Sequence, residues 1–256
     1  MSQVLEKIEM DIKAWRKELE NSKEKNIPKK KFVLFSTPRT GSTALCNALT
    51  ANGFGDVREY FNEMVLQKYI ASTNSKREFS DYLNLAYVHG SNSENIFGVN
   101  ILVNQFLDLL SKKVNVLKVG YERIYVLERR NKLKQAFSLM KSQKTFIFTP
   151  DILAEAVRKF GTIMVEPDEV HFTMCLKKIL REENYLKKTL KGKVDKVFYF
   201  EDIILDNFES TVLDIKENLE LGRKKFVQLE RNIMSTKGDK EVFNKILKKL
   251  DLEDKI

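Results

Sequence analysis

The residues best suited to chemistry stand in the stretch STPRTGST, residues 36–43. It follows the apolar run KFVLF and precedes ALCNAL, which opens a helical pattern. Strand, tight polar turn and helix in that order can hold an anion, because the first N–H groups of the helix point outward and its dipole favours negative charge. Pro38 has no N–H and fixes its own φ, while Gly41 permits backbone geometry that a side chain forbids. Thr40, Gly41, Ser42 and Thr43 occupy the helix start, with hydroxyl donors on Ser42 and Thr43. Arg39 adds a permanent charge able to fork onto two oxygens. Two plainer readings compete. Ser and Thr at a helix start can be caps alone, and a Mg-dependent nucleoside triphosphate loop would end in GK[ST], which is missing here.

A second group lies in YVLERRNKLKQAFSL, which runs from a strand into a helix. Arg129 and Arg130 stand at the strand end, and Ser138 lies two turns into the helix. An Arg at a strand terminus and such a Ser can converge on one phosphate, although a solvated Lys-rich helix would look the same. Two anion-binding elements on strand-to-helix units suggest a ligand with phosphate groups at both ends.

The elements that must position these residues follow from periodicity. KFVLFS (31–36), IFGVNILV (96–103), RIYVLER (123–129) and KVFYFED (196–202) read as buried strands, being short apolar runs bounded by polar residues. Helical patterns lie around 78–88, 104–113, 131–144, 151–164 and 168–190, and TALCNALTANG is a helix ending near Gly53. Strands alternating with helices predict an α/β fold of three layers, with a central parallel sheet flanked by helices. Val4, Ile8, Ile12, Trp15 and Leu19 form one face of an N-terminal helix. Residues 1–27 therefore read as an amphipathic extension and 28–256 as one domain, and the extension leaves a homodimer open. At the other end, Phe243, Ile246, Leu247 and Leu250 share one helical stripe.

The 256 residues suffice for one sizeable core. Lys and Arg total 45 against 36 Asp and Glu, a net charge of +9. This balance suits a polyanionic partner or a Lys-rich surface built for solubility. The basic residues spread along helices instead of gathering with aromatics, so no nucleic-acid partner is expected. Cys46 and Cys175 are isolated, which fits a reducing compartment. The charged N-terminus is unlike a secretory signal and no apolar run is long enough to span a membrane, so a cytoplasmic location is expected.

TPRTGSTAL resembles the 5′-phosphosulfate loop of sulfotransferases, and ERRNKLKQAFSL resembles their 3′-phosphate-binding strand and helix. REYF (58–61), IFGVNILVNQF, QAFSLMKSQKT and VFYFEDII resemble segments of the bacterial trehalose 2-sulfotransferase family. The similarity covers roughly residues 31–245. It implies a P-loop-like α/β fold and 3′-phosphoadenosine 5′-phosphosulfate (PAPS) as co-substrate. It also implies metal-free transfer of a sulfuryl group to a hydroxyl of a carbohydrate or glycolipid. By the same resemblance Glu59 is the base for the acceptor proton, and Arg39 neutralises charge on the leaving phosphate. Ser42 and Thr43 hold the 5′-phosphate within the loop 39–43, and Arg130 or its neighbour Arg129, with Ser138, holds the 3′-phosphate. Without the resemblance Glu59 would read as a surface carboxylate.

Asn100 departs from the family pattern, which has Lys at this position. If that Lys supports transfer, its absence here weakens catalysis or hands the role to Arg39 or Lys118; it also leaves open an altered acceptor, or a protein that binds the nucleotide without transferring. STKGDKEVF (235–243) resembles the loop that covers the donor in other sulfotransferases, which makes Lys237 a candidate. An ordinary P-loop kinase is a further alternative, disfavoured by the missing GK[ST]. His89 and His171 lack metal-ligand spacing and are given no chemistry.

Overall fold

The computed structural model describes residues 10, 13–14, 17, 27–63, 65–66, 79–148, 150–160, 163, 165–206, 208–222, 226–228 and 237–255. The apolar stripe expected for the N-terminal extension, Val4 to Leu19, lies outside them. The four expected strands all form: β1 (Lys30–Ser36), β2 (Ile96–Leu102), β3 (Arg123–Glu128) and β4 (Lys196–Tyr199). They pair in parallel in the order β2-β1-β3-β4. Helix α1 (Ser42–Ala51) follows β1, and α2 (Phe79–Gly90) precedes β2. Helix α3 (Val103–Ser111) follows β2 directly, and a 3-10 turn (Val116–Val119) leads into β3. Beyond β3 come α4 (Lys132–Thr145), α5 (Pro150–Phe160) and α6 (Glu169–Thr189). Beyond β4 come α7 (Phe208–Asn218) and α8 (Lys237–Lys249).

Successive side chains of a strand point to opposite faces, and β1 and β3 bury apolar residues on both. Val33, Phe35, Val99, Ile101 and Val126 face one core with Tyr82, Leu85, Phe106 and Leu186, supplied by α2, α3 and α6. Phe32, Leu34, Tyr125 and Leu127 face the other with Leu45, Leu49, Val212 and Ile215, supplied by α1 and α7. These are the three layers. A third cluster joins Ala136, Phe137 and Met140 of α4 to Phe172, Cys175 and Ile179 of α6 and to Phe243, Ile246 and Leu247 of α8. The C-terminal stripe therefore buries itself against the helix that carries Ser138. No helix among the described residues is long and apolar enough to cross a membrane.

Two element ends differ from the expected pattern. β3 stops at Glu128, which leaves Arg129 and Arg130 in the loop. β4 stops at Tyr199, and Glu201–Asp206 winds into a π-helical turn where the apolar run suggested a continuing strand.

The chain between α1 and α2 returns to the sheet. Arg58 makes a parallel bridge with Val99, and its carbonyl accepts the Asn100 N–H at 3.0 Å. Gly55 makes that return feasible. Its φ is +83°, and a Cβ there would collide with the Gly90 carbonyl and lie 2.8 Å from that of Ile96. Gly55→Ala is expected to cost about 2 kcal/mol, through left-handed strain and the displaced neighbours. Urea denaturation of the two proteins measures it.

Candidate active site

A strand order of 2-1-3-4 reverses direction between β1 and β3, and open α/β sheets form their ligand crevice at the carboxyl end of such a reversal. The loop leaving β1 and the loop leaving β3 meet there. In the first, Arg39 and Gly41 both take left-handed backbone conformations, at φ 68° and 82°. Gly41 is the N-cap of α1 and supplies no side chain, so Ser42 and Thr43 lie within the first turn and do not cap it. The first intrahelical bond runs from the Leu45 N–H to the Gly41 carbonyl at 3.1 Å. The N–H groups of Gly41 to Ala44 precede it, as a helix start requires. Thr40 turns inward: its hydroxyl donates to the Thr37 carbonyl at 3.0 Å and the side chain is buried.

Arg39 joins the two loops. Its Nε donates to the Ser138 hydroxyl at 3.0 Å, and one terminal nitrogen donates to the Phe148 carbonyl at 2.7 Å. Arg129 reaches back in the other direction, donating to the Arg39 carbonyl at 3.3 Å while its guanidinium lies 4.3 Å from the Phe200 ring centre. Burial pushes the Arg129 guanidinium down to about 10, so it remains charged at neutral pH. Gln135 adds the third tie. Its Nε2 donates to the Thr37 hydroxyl and to the Pro38 carbonyl, both at 2.8 Å.

Arg130 is differently placed from its neighbour. It is exposed, forms a two-pronged ion pair with Asp202 (one arm at 2.6 Å), and lies 4.2 Å from the Tyr199 ring centre. The Glu201 carboxylate accepts the backbone N–H groups of Arg130 and Asn131 at 2.9 and 3.0 Å. Those bonds and the Arg129 charge hold the Glu201 carboxyl below its ordinary range in spite of desolvation. The Asn131 side chain then caps α4 through the Lys134 N–H. The sequence could not separate the two arginines; the structure turns Arg129 toward the β1 loop and Arg130 toward β4.

Glu59 sits at the carboxyl end of β2, beside the same crevice. Gln105 donates to its Oε2 at 2.6 Å and Asn100 approaches Oε1 at 3.5 Å. Asn100 in turn accepts from the Ser36 hydroxyl at 3.1 Å, which connects Glu59 to the last residue of β1. Burial raises the Glu59 carboxyl above its ordinary range, and bonds from Gln105, Asn62 and Asn100 partly oppose that rise. Asn100 is therefore a buried link between Ser36 and Glu59. Lys118 cannot take over from a missing lysine. It lies on the 3-10 turn before β3, whose Val119 carbonyl accepts from Lys31 at 3.0 Å, at the opposite end of the strands.

Lys237 opens α8, the helix that packs on α4. Two residues on, Asp239 forms a buried ion pair of 2.7 Å with Lys141, which lies one turn beyond Ser138 on α4. Gln105, Gln135 and Glu201 escaped sequence reasoning. Gln is an ordinary helix residue, and nothing local marks one whose amide faces a loop remote in sequence. The Glu-Asp pair of the late strand was visible, but its capping of α4 was not.

Residues 31–158 match the family model described as Stf0 sulphotransferase. Among solved structures, a sulfotransferase from Alicyclobacillus acidocaldarius is similar at 15% identity, over 87% of this chain and 94% of that one, with a TM-score of 0.44. No curated protein sequence matches the chain.

Proposed function

Starting from the fact that this chain belongs to the Stf0 sulphotransferase family, we propose that it transfers the sulfuryl group of PAPS to a hydroxyl of a carbohydrate or glycolipid. The observation that carries the reading is the contact between the two strand-to-helix junctions, where Arg39 of the first touches Ser138 of the second. A nucleotide with phosphates at both ends requires such a pair of junctions side by side. Within this proposal the domain spans 28–256 and the extension 1–27.

In the proposed reaction the loop 39–43 receives the 5′ end of the donor through its helix-start N–H groups and the hydroxyls of Ser42 and Thr43. Ser138 and an arginine of the 129–130 pair receive the 3′-phosphate, with Lys237 of α8 as a further candidate. The acceptor oxygen attacks sulfur in line. A new S–O ester bond forms as the bond from sulfur to the phosphate oxygen breaks. The electron pair stays on that phosphate oxygen, where the Arg39 charge stabilises it, and Glu59 takes the acceptor proton. The nucleotide product is 3′-phosphoadenosine 5′-phosphate (PAP).

Donor recognition and transfer are tested together. Millimolar PAP should raise the melting temperature of the protein, and ³⁵S should pass from labelled PAPS to at least one member of a glycan and glycolipid panel. Arg39→Met should weaken the PAP response and lower kcat/KM about 100-fold, the scale set by losing one charge-stabilising donor. No melting shift with PAP and no labelled product would defeat the reading. A shift without product would leave a nucleotide-binding protein that does not transfer.

A further inference from the structure

Gln105 makes one contact that serves its own helix and one that reaches beyond it. Its Oε1 accepts the Leu102 N–H at 3.2 Å, closing the first turn of α3. Its Nε2 points the other way and donates to Glu59 Oε2 at 2.6 Å. The side chain is buried at 4% exposure, so neither contact is readily exchanged for water. Because one end is pinned to the backbone, the amide cannot flip without losing both bonds, and the N–H is held toward Glu59.

We propose that Gln105 is a positioning residue for Glu59, fixing the orientation of its carboxylate and favouring the charged form needed to accept a proton. The inference rests on the reading of Glu59 as the base. The surroundings leave this task to amides. Asn100 faces Glu59 from β2 and Asn62 from its own segment, both by side-chain hydrogen bonds. The Cys46 thiol of α1 also lies within its electrostatic reach and is pushed up, by burial first and then by Glu59 and Asp56. Arg58, next in the chain, is engaged by Asp56 and stacks 6.0 Å from the Tyr60 ring centre. Gln105 bonds the carboxylate at 2.6 Å against 3.5 Å for Asn100, and it stands first among the groups that favour its charged form.

Gln105→Glu separates the two duties of the side chain. A glutamate still accepts the Leu102 N–H, as in an ordinary capping box, but it no longer donates to Glu59 and brings a second carboxylate against it. The uncomplexed full-length protein, labelled with ¹³C at the glutamate side-chain carboxyls, is titrated by NMR. The Glu59 resonance is identified by its loss in Glu59→Gln. In Gln105→Glu the midpoint should move upward by about one pH unit or more, as for carboxylates forced together. Gln105→Met, similar in size and uncharged, should also move it upward. An unmoved midpoint in Gln105→Met would overturn the inference, whatever the activity and whatever the added carboxylate does in Gln105→Glu. If the midpoint moves but the acid limb of labelled sulfuryl transfer from PAPS stays in place, the positioning role stands and Glu59 is not the base.

Discussion

Glu59→Gln is expected to lower the turnover of sulfuryl transfer about 1000-fold, in the middle of the range attributed to a positioned general base. PAP binding should change by no more than a few fold, because Glu59 lies at the end of β2 and the proposed donor contacts lie on the loops after β1 and β3. The same substitution should raise thermal stability at neutral pH. Burial first of all lifts the Glu59 carboxyl above its unfolded value. A carboxyl lifted in this way stabilises the fold at pH below its unfolded value, and that contribution is lost as pH rises through the folded value. At neutral pH the ionised side chain is therefore a burden, and Gln keeps an acceptor for Gln105 without the charge. Activity against pH should rise on the acid side at a pH above that of an ordinary glutamate. Labelled-transfer kinetics and a melting curve on one preparation check both effects. A variant that is inactive and also less stable would point to collapse of the site.

Lys141→Met should be among the most damaging single changes to stability. The ion pair with Asp239 is buried on both sides, at 11% and 8% side-chain exposure. Removing the lysine takes the ion pair away from a buried carboxylate inside the α4–α8 contact, a change that typically costs about 3–5 kcal/mol. The double variant Lys141→Met, Asp239→Leu should recover most of that loss, since an apolar pair of similar volume often equals a buried ion pair. Guanidinium unfolding of the three variants measures the difference. A single variant within 1 kcal/mol of the parent would show that water reaches the pair. The connection matters beyond stability, because it ties the start of α8, with Lys237, to the turn after Ser138.

The fold was readable because strands buried on both faces leave near-continuous apolar runs. KFVLF and FGVNIL need no partner to be recognised as strands. The run VFYF misleads past Tyr199 for a tertiary reason. The carboxylate of Glu201 is drawn to the N–H groups of Arg130 and Asn131, and that attachment begins a helical turn in an apolar run. The loop 36–43 was readable because its requirements are local: Gly41 in the left-handed region and a helix directly after it. The two sides of the crevice were not equally visible. Arg129 and Arg130 are neighbours whose opposite directions depend on Phe200 and Asp202, about 70 positions away. Gln105 and Gln135 hold Glu59, the Thr37 hydroxyl and the Pro38 carbonyl only after three strands have assembled.

The backbone at Arg39 is one that glycine adopts without penalty and arginine does not. Where this chemistry is no longer under selection, drift toward glycine at that position would remove the guanidinium and make the chain more robust in one step. Among sequences that share this loop, a glycine there would be a sign of a retired enzyme, and an arginine retained against its own conformational preference a sign of one still at work.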